Sequence, residues 1–186
     1  MTRINVCDEW RMLNTNTTFK MELSQKVDMQ KVFETMKSAV EEIRNDEGFA
    51  DLWLQDLNDS CTKESFEVES TLNCDEYVAF IPAMIKAIAK SFPTISFNGY
   101  ACRDDMKCYW IDEHEFSYDG HTLRIKETFM DDDNGYFCPD CGYLVAYPYE
   151  EFDSDEIECD DCEEMIKVAD LKYVPPVVTE ETITIR

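Results

Sequence analysis

Four of the nine cysteines in this 186-residue chain are spaced for metal chemistry: Cys138-Pro139-Asp140-Cys141-Gly142 and Cys159-Asp160-Asp161-Cys162, with seventeen residues between the pairs. A Cys-x-x-Cys turn aims two sulfurs at one centre, so two such turns supply four thiolates in a tetrahedron. Ligand softness and closed geometry favour structural Zn2+ over iron, with Cys138, Cys141, Cys159 and Cys162 as ligands. Four protein ligands leave no position for water or substrate, so the metal is expected to organise a fold rather than to catalyse. Gly142 suits the tight turn that follows the second cysteine.

Other reactive residues form weaker patterns. His114 lies between Glu113 and Glu115 on a predicted strand, and His121 follows an Asp119-Gly120 turn. Both are expected to be surface or hairpin residues. Cys108, His114 and Asp112 have the types of a nucleophile, base and orienter, but nothing in the sequence supplies an oxyanion site. No phosphate-binding glycine loop, nucleophile elbow or metalloprotease helix motif is present. The expectation is a protein that is not an enzyme. Cys7, Cys61, Cys74, Cys102 and Cys108 form an odd, irregular set. With no apolar leader at Met1–Glu9, reduced thiols in a reducing, cytoplasmic compartment are expected, and a Cys102–Cys108 bridge is disfavoured.

The metal motif sits in an unusual electrostatic setting. Net charge is −24, and residues 131–164 hold fourteen Asp or Glu with no Lys or Arg. Phosphate contacts need clustered Lys and Arg, so direct nucleic-acid binding is not expected, and anionic membranes are repelled likewise. A basic protein is the expected partner, met by Asp131, Asp132, Asp133, Glu150, Glu151, Asp153, Asp155, Glu156, Asp160 and Asp161. Acids on a rigid scaffold imitate a row of phosphates. The interleaved aromatics Tyr136, Phe137, Tyr143, Tyr147, Tyr149 and Phe152 offer interface anchors, although at least half are expected to form the ribbon core.

The elements that carry these residues follow from periodicity. Thr17 to Leu23 alternates as a half-buried strand. Asp28 is placed to cap a helix reaching about Asn45, with Val32, Phe33, Met36, Val40 and Ile43 as its apolar stripe. Ala50, Leu52 and Leu54 alternate with Asp51, Trp53 and Gln55, which predicts a second strand, and Phe66 to Leu72 a third. A strongly apolar helix is predicted from Glu76 to Ser91, with Pro82 either kinking it or marking a late start. Thr94–Cys102, Lys107–Phe116 and Thr122–Phe129 read as strands, the last two joined by the Asp119-Gly120 turn. The fold expected is α+β: a ferredoxin-like split βαβ (β-α-β-β-α-β) with an added β-hairpin, then a small zinc ribbon. Its divisions are a leader over 1–13, the α+β domain over 14–130, the acidic ribbon over 131–174, and 175–186 as either a last strand or a tail.

Two resemblances add to this. Cys138 to Gly142 resembles a rubredoxin knuckle, but Glu163 stands where the second knuckle would carry glycine, and the loop between the pairs is short, which disfavours electron transfer. In element order, in Phe97-Asn98-Gly99-Tyr100 and in Cys138 to Cys162, the chain resembles small phage and mobile-element proteins of low-GC Gram-positive bacteria. These join an Api92-like ferredoxin-like domain to a short four-cysteine ribbon. Some acidic phage proteins of this size are anti-CRISPR or other anti-defence inhibitors. The resemblance therefore implies a bacterial host cytoplasm and an inhibitor acting on a basic nucleic-acid-handling effector, such as a CRISPR nuclease. The competing reading is a zinc-ribbon adaptor that meets a transcription or phage protein through the ribbon aromatics.

Overall fold

The computed structural model describes residues 15–44, 47–70, 77–105, 110–148 and 150–185. The expected leader lies outside them, as do Cys7, Cys74, Cys108 and Tyr149. Eight elements build the larger region: β1 (Thr15–Leu23), α1 (Met29–Ile43), α2 (Glu47–Asp59), β2 (Ser65–Ser70), α3 (Tyr77–Ser91), β3 (Phe97–Asp105), β4 (Trp110–Tyr118) and β5 (Thr122–Met130). The smaller region holds β6 (Gly135–Phe137), β7 (Leu144–Ala146), β8 (Glu156–Glu158), β9 (Met165–Lys167), a 3-10 turn (Val168–Asp170) and β10 (Lys172–Val174). The chain then returns to the large sheet as β11 (Val177–Thr184).

The strand predicted around Ala50–Gln55 is helix α2. Its buried residues are Ala50, Trp53, Leu54 and Leu57, the i, i+3, i+4, i+7 spacing of one helix face. Leu52, which the alternation placed inward, is 49% exposed. Period 2 and period 3.6 overlap over so short a stretch, and Leu57 breaks the tie toward the helix.

That change alters the topology. The sheet has six strands in the order β11-β5-β4-β3-β1-β2, with every neighbouring pair antiparallel. The full β-α-β-β-α-β order is not what the chain adopts. One split crossover remains: β2, α3 and β3 run parallel strand to parallel strand, with β1 antiparallel between them. The last residues form an edge strand paired with β5 from Val177↔Phe129 to Thr184↔Thr122. Ile183 and Ile185 pack on the core, and Lys86 of α3 reaches Glu181 at 2.7 Å.

Helices cover one face of the sheet. Phe19, Met21, Phe97, Phe116, Leu123 and Ile125 point toward Val32, Met36, Trp53, Phe80, Ile81, Met84 and Ile88 in a continuous apolar cluster. Phe116 stacks on Phe19 at 5.9 Å, and Phe19 meets Trp53 edge-on at 6.1 Å. Gly99 makes this possible: a Cβ there would lie 2.4 Å from the Phe116 ring and 2.3 Å from the Lys20 carbonyl oxygen. Helix α3 runs unbroken through Pro82, whose missing N–H falls in the second turn. Asp28 stands at the N-cap of α1 but makes no side-chain capping bond; its carboxylate lies 3.8 Å from Lys31.

Candidate metal centre

The two Cys-x-x-Cys turns are built alike. In the first, between β6 and β7, the Cys138 N–H donates to the Tyr143 carbonyl (2.8 Å) and the Gly142 N–H to the Cys138 carbonyl (3.0 Å). In the second, between β8 and β9, Cys159 N–H donates to Glu164 (3.0 Å) and Glu163 N–H to Cys159 (2.9 Å). Gly142 and Glu163 occupy equivalent positions, and both have positive φ, +78° and +60°. Glycine adopts that conformation freely; glutamate does so at a cost of about 1 kcal/mol.

The four cysteine sulfurs lie within 4.8 Å of one another. Sγ of Cys138 is 3.8 Å from that of Cys162, and Cys141 is 3.6 Å from Cys159. Those lengths are far beyond the roughly 2.05 Å of a disulfide. They match the edge of a tetrahedron with metal–sulfur bonds of about 2.3 Å, which is about 3.75 Å. The Cys141 N–H faces Cys138 Sγ at 3.5 Å and draws that thiol down to about 7, toward the thiolate a metal requires. The group could hold a metal ion without rearrangement. Cys138 and Cys159 are buried with Val145, Ile166 and Leu171, while Cys141 is exposed.

The expected partner-binding acids fall on the ribbon surface. Asp132, Asp133, Glu150, Glu151, Asp153, Asp155, Glu156, Asp160 and Asp161 are exposed, and Asp131 is half-buried. Three also accept hydrogen bonds within the ribbon, two of them from the backbone. Asp131 Oδ1 accepts the Asp133 N–H (2.9 Å), Asp132 accepts the Tyr147 hydroxyl (3.3 Å), and Glu150 accepts the Tyr147 N–H (3.2 Å). Asn134 closes the root of the ribbon by donating to the Pro175 carbonyl at 3.0 Å. Among the aromatics, Tyr136 packs edge-on against Phe152 at 5.0 Å and, tilted, against Tyr173 at 4.7 Å, so Tyr136 and Phe152 belong to the ribbon core. Tyr143, Met165 and Tyr173 are exposed.

The expectation for His114 is overturned. It is 1% exposed, whereas His121 is exposed in the hairpin as its turn position implied. His114 faces the helices on β4, with Asp112 two residues before it on the same face and Glu127 directly opposite on β5. One ligand-type atom from each of these three lies within 4.8 Å of the others. Burial raises the Asp112 carboxyl to about 6, aided by Glu127 and opposed by Arg103; burial also lowers the His114 imidazole. On the opposite face the Tyr100 hydroxyl donates to Glu113 at 3.2 Å, and burial pushes the Cys102 thiol up to about 11, which makes it an inert thiol.

Comparison with known proteins gives no match: no family model fits the chain, and neither a curated protein nor a solved structure is significantly similar to it. Among the described residues no helix is long and apolar enough to cross a membrane. The functional reading therefore rests on the sites themselves.

Proposed function

We propose that the protein is a non-enzymatic acidic inhibitor whose zinc-stiffened ribbon occupies the basic nucleic-acid channel of an effector and blocks nucleic-acid binding or cleavage. A CRISPR nuclease in a bacterial cytoplasm is the kind of effector that fits, because its heteroduplex channel is positively charged. The observation that carries the reading is the charge map of the ribbon. Fourteen acids and no base fall within residues 131–164, and nine of the ten nominated acids are solvent-exposed. Zinc is the ion of choice for four thiolates in a closed tetrahedron. It supplies the stiffness that five buried ribbon side chains cannot supply alone.

The same features argue against the protein contacting DNA through this face, since phosphates would meet carboxylates. The test is competition. Wild-type protein should displace duplex target from a Cas9-type nuclease, and displacement should weaken as salt rises. The combined variant Asp153→Asn, Asp155→Asn, Glu156→Gln, Asp160→Asn and Asp161→Asn should lose it. Unchanged displacement by that variant contradicts charge mimicry.

A second reading has its own support. Tyr143 and Met165, one at each knuckle, are 44% and 60% exposed beside the metal turns. Such side chains suit an adaptor that anchors in a pocket of a transcription or phage protein. In that case Tyr143→Ala should weaken partner binding more than charge neutralisation does, with little dependence on salt.

A further inference from the structure

We propose that Asp112, His114 and Glu127 form a second cation site, for a divalent transition-metal ion taken by nitrogen and oxygen donors. It is independent of the cysteine centre and of the ribbon's charge.

The site is a product of strand register. The β4–β5 hairpin pairs His114 with Glu127, and Asp112 stands two residues from His114 on the same strand face. All three lie on the sheet face that carries the apolar cluster, next to buried Arg103 and Thr17. Asp112 and His114 are 4% and 1% exposed. A histidine and an aspartate this deeply buried would ordinarily share a hydrogen bond. Here Nδ1 and Oδ1 stand 3.7 Å apart. Asp112 Oδ1 and His114 Nε2 have no hydrogen-bond partner at all. Buried polar atoms are rarely left so, because each costs the desolvation of that group. A cation held by Asp112 Oδ1, one ring nitrogen of His114 and a Glu127 oxygen gives the orphaned carboxylate oxygen its partner.

The surroundings fit that reading. The Thr179 hydroxyl of β11 donates to Glu127 Oε2 at 3.2 Å, the kind of outer contact that fixes the angle of a ligating carboxylate. A neutral imidazole is the ligating form, and burial of His114 favours it. Arg103 lies across the β3–β4 register from Asp112 and, among the described residues, brings a buried positive charge to this cluster. Arg103 therefore makes this site weaker than four thiolates, and its ion should exchange while the ribbon's stays. One imidazole and two carboxylates suit Zn2+, Fe2+, Mn2+ or Co2+ and leave further positions for water or a ligand.

Co2+ added to full-length protein carrying one zinc per chain tests this. The expected result is a second equivalent of metal after gel filtration, with no thiolate-to-cobalt charge-transfer absorption. The His114 ring resonances should be displaced by the paramagnetic ion. His121 is the chain's other histidine, stands in the hairpin, and should be unaffected. Asp112→Asn and Glu127→Gln keep shape and should fold as judged by circular dichroism, yet bind the second equivalent at least about tenfold more weakly. Metal content that stays at one equivalent, cobalt appearing only with thiolate charge transfer, or equal binding by folded Glu127→Gln overturns the proposal. In the first case a buried water satisfies the pair instead.

Discussion

Among the described residues, the sheet region gathers twenty-six buried side chains into one apolar cluster, whereas the ribbon gathers five, two of them cysteines. The strands differ in the same way. Those of the large sheet run from six to nine residues, and every strand of the ribbon is three residues long. Area buried against water holds the first region together. In the second, little area is available, and a metal on the four sulfurs would supply what burial does not. A ribbon held in that way would be free to carry charge over its surface, because a metal site tolerates an acidic exterior whereas an apolar core does not tolerate a buried acid.

The largest effect that tests this contrast is loss of the metal. Cys159→Ser removes a buried ligand from a site of the kind worth on the order of 10 kcal/mol. Hydrogen exchange should show residues 135–174 unprotected and β1, β3 and β4 still protected. Loss of protection in both regions would mean that the sheet leans on the ribbon. Next in size is the reciprocal cut. Trp53→Ala should cost the sheet region about 3–5 kcal/mol in urea unfolding. Phe152→Ala in the metal-loaded ribbon should cost only about 1–2 kcal/mol, since Phe152 is partly buried.

Asp112 gives a third test, through pH. Its carboxyl titrates at about 6 in the fold, above the roughly 3.9 of an unfolded chain. The folded state therefore holds that proton more tightly. The stability it contributes is full below about pH 4 and is lost as pH rises through 6, at most about 3 kcal/mol. Measured without divalent cations, wild type should lose this stability between pH 4 and 6, and Asp112→Asn should not. His114 is shifted the other way by burial, but it is present in both proteins and cancels in the difference. The smallest effect concerns the paired knuckles. Glu163→Gly should raise ribbon stability by about 0.5–1 kcal/mol, and Gly142→Ala should lower it by a similar amount, if the two left-handed turns are equivalent.

What was legible in the sequence follows the same division. The four-cysteine cluster was readable outright, because Cys-x-x-Cys spacing is local and each turn carries its own pair. Strands β1, β4 and β5 and helices α1 and α3 were readable because each repeats its period over many residues. Helix α2 was misread, since three alternating apolar residues outweighed Trp53 and Leu57. Losing that strand changed which strands pair, and with it the sheet order. The Asp112–His114–Glu127 cluster could have been found. The Asp119-Gly120 turn sets Tyr118 opposite Leu123, and counting back puts His114 opposite Glu127. The glutamates flanking His114 suggested a solvent face, but they are the outward-pointing alternates of the same strand. The docking of β11 on β5 leaves no signature in the sequence, because the pairing is nonlocal.

Charge mimicry by the ribbon requires that metal order the acids rather than that charge alone suffice. Inhibition of DNA binding by a Cas9-type nuclease should be titrated with wild-type protein and with Cys138→Ser/Cys159→Ser, which keeps every carboxylate. The account predicts that the double variant inhibits at least about tenfold more weakly, because an unfolded ribbon must be ordered on binding. Equal inhibition by the two proteins would contradict it.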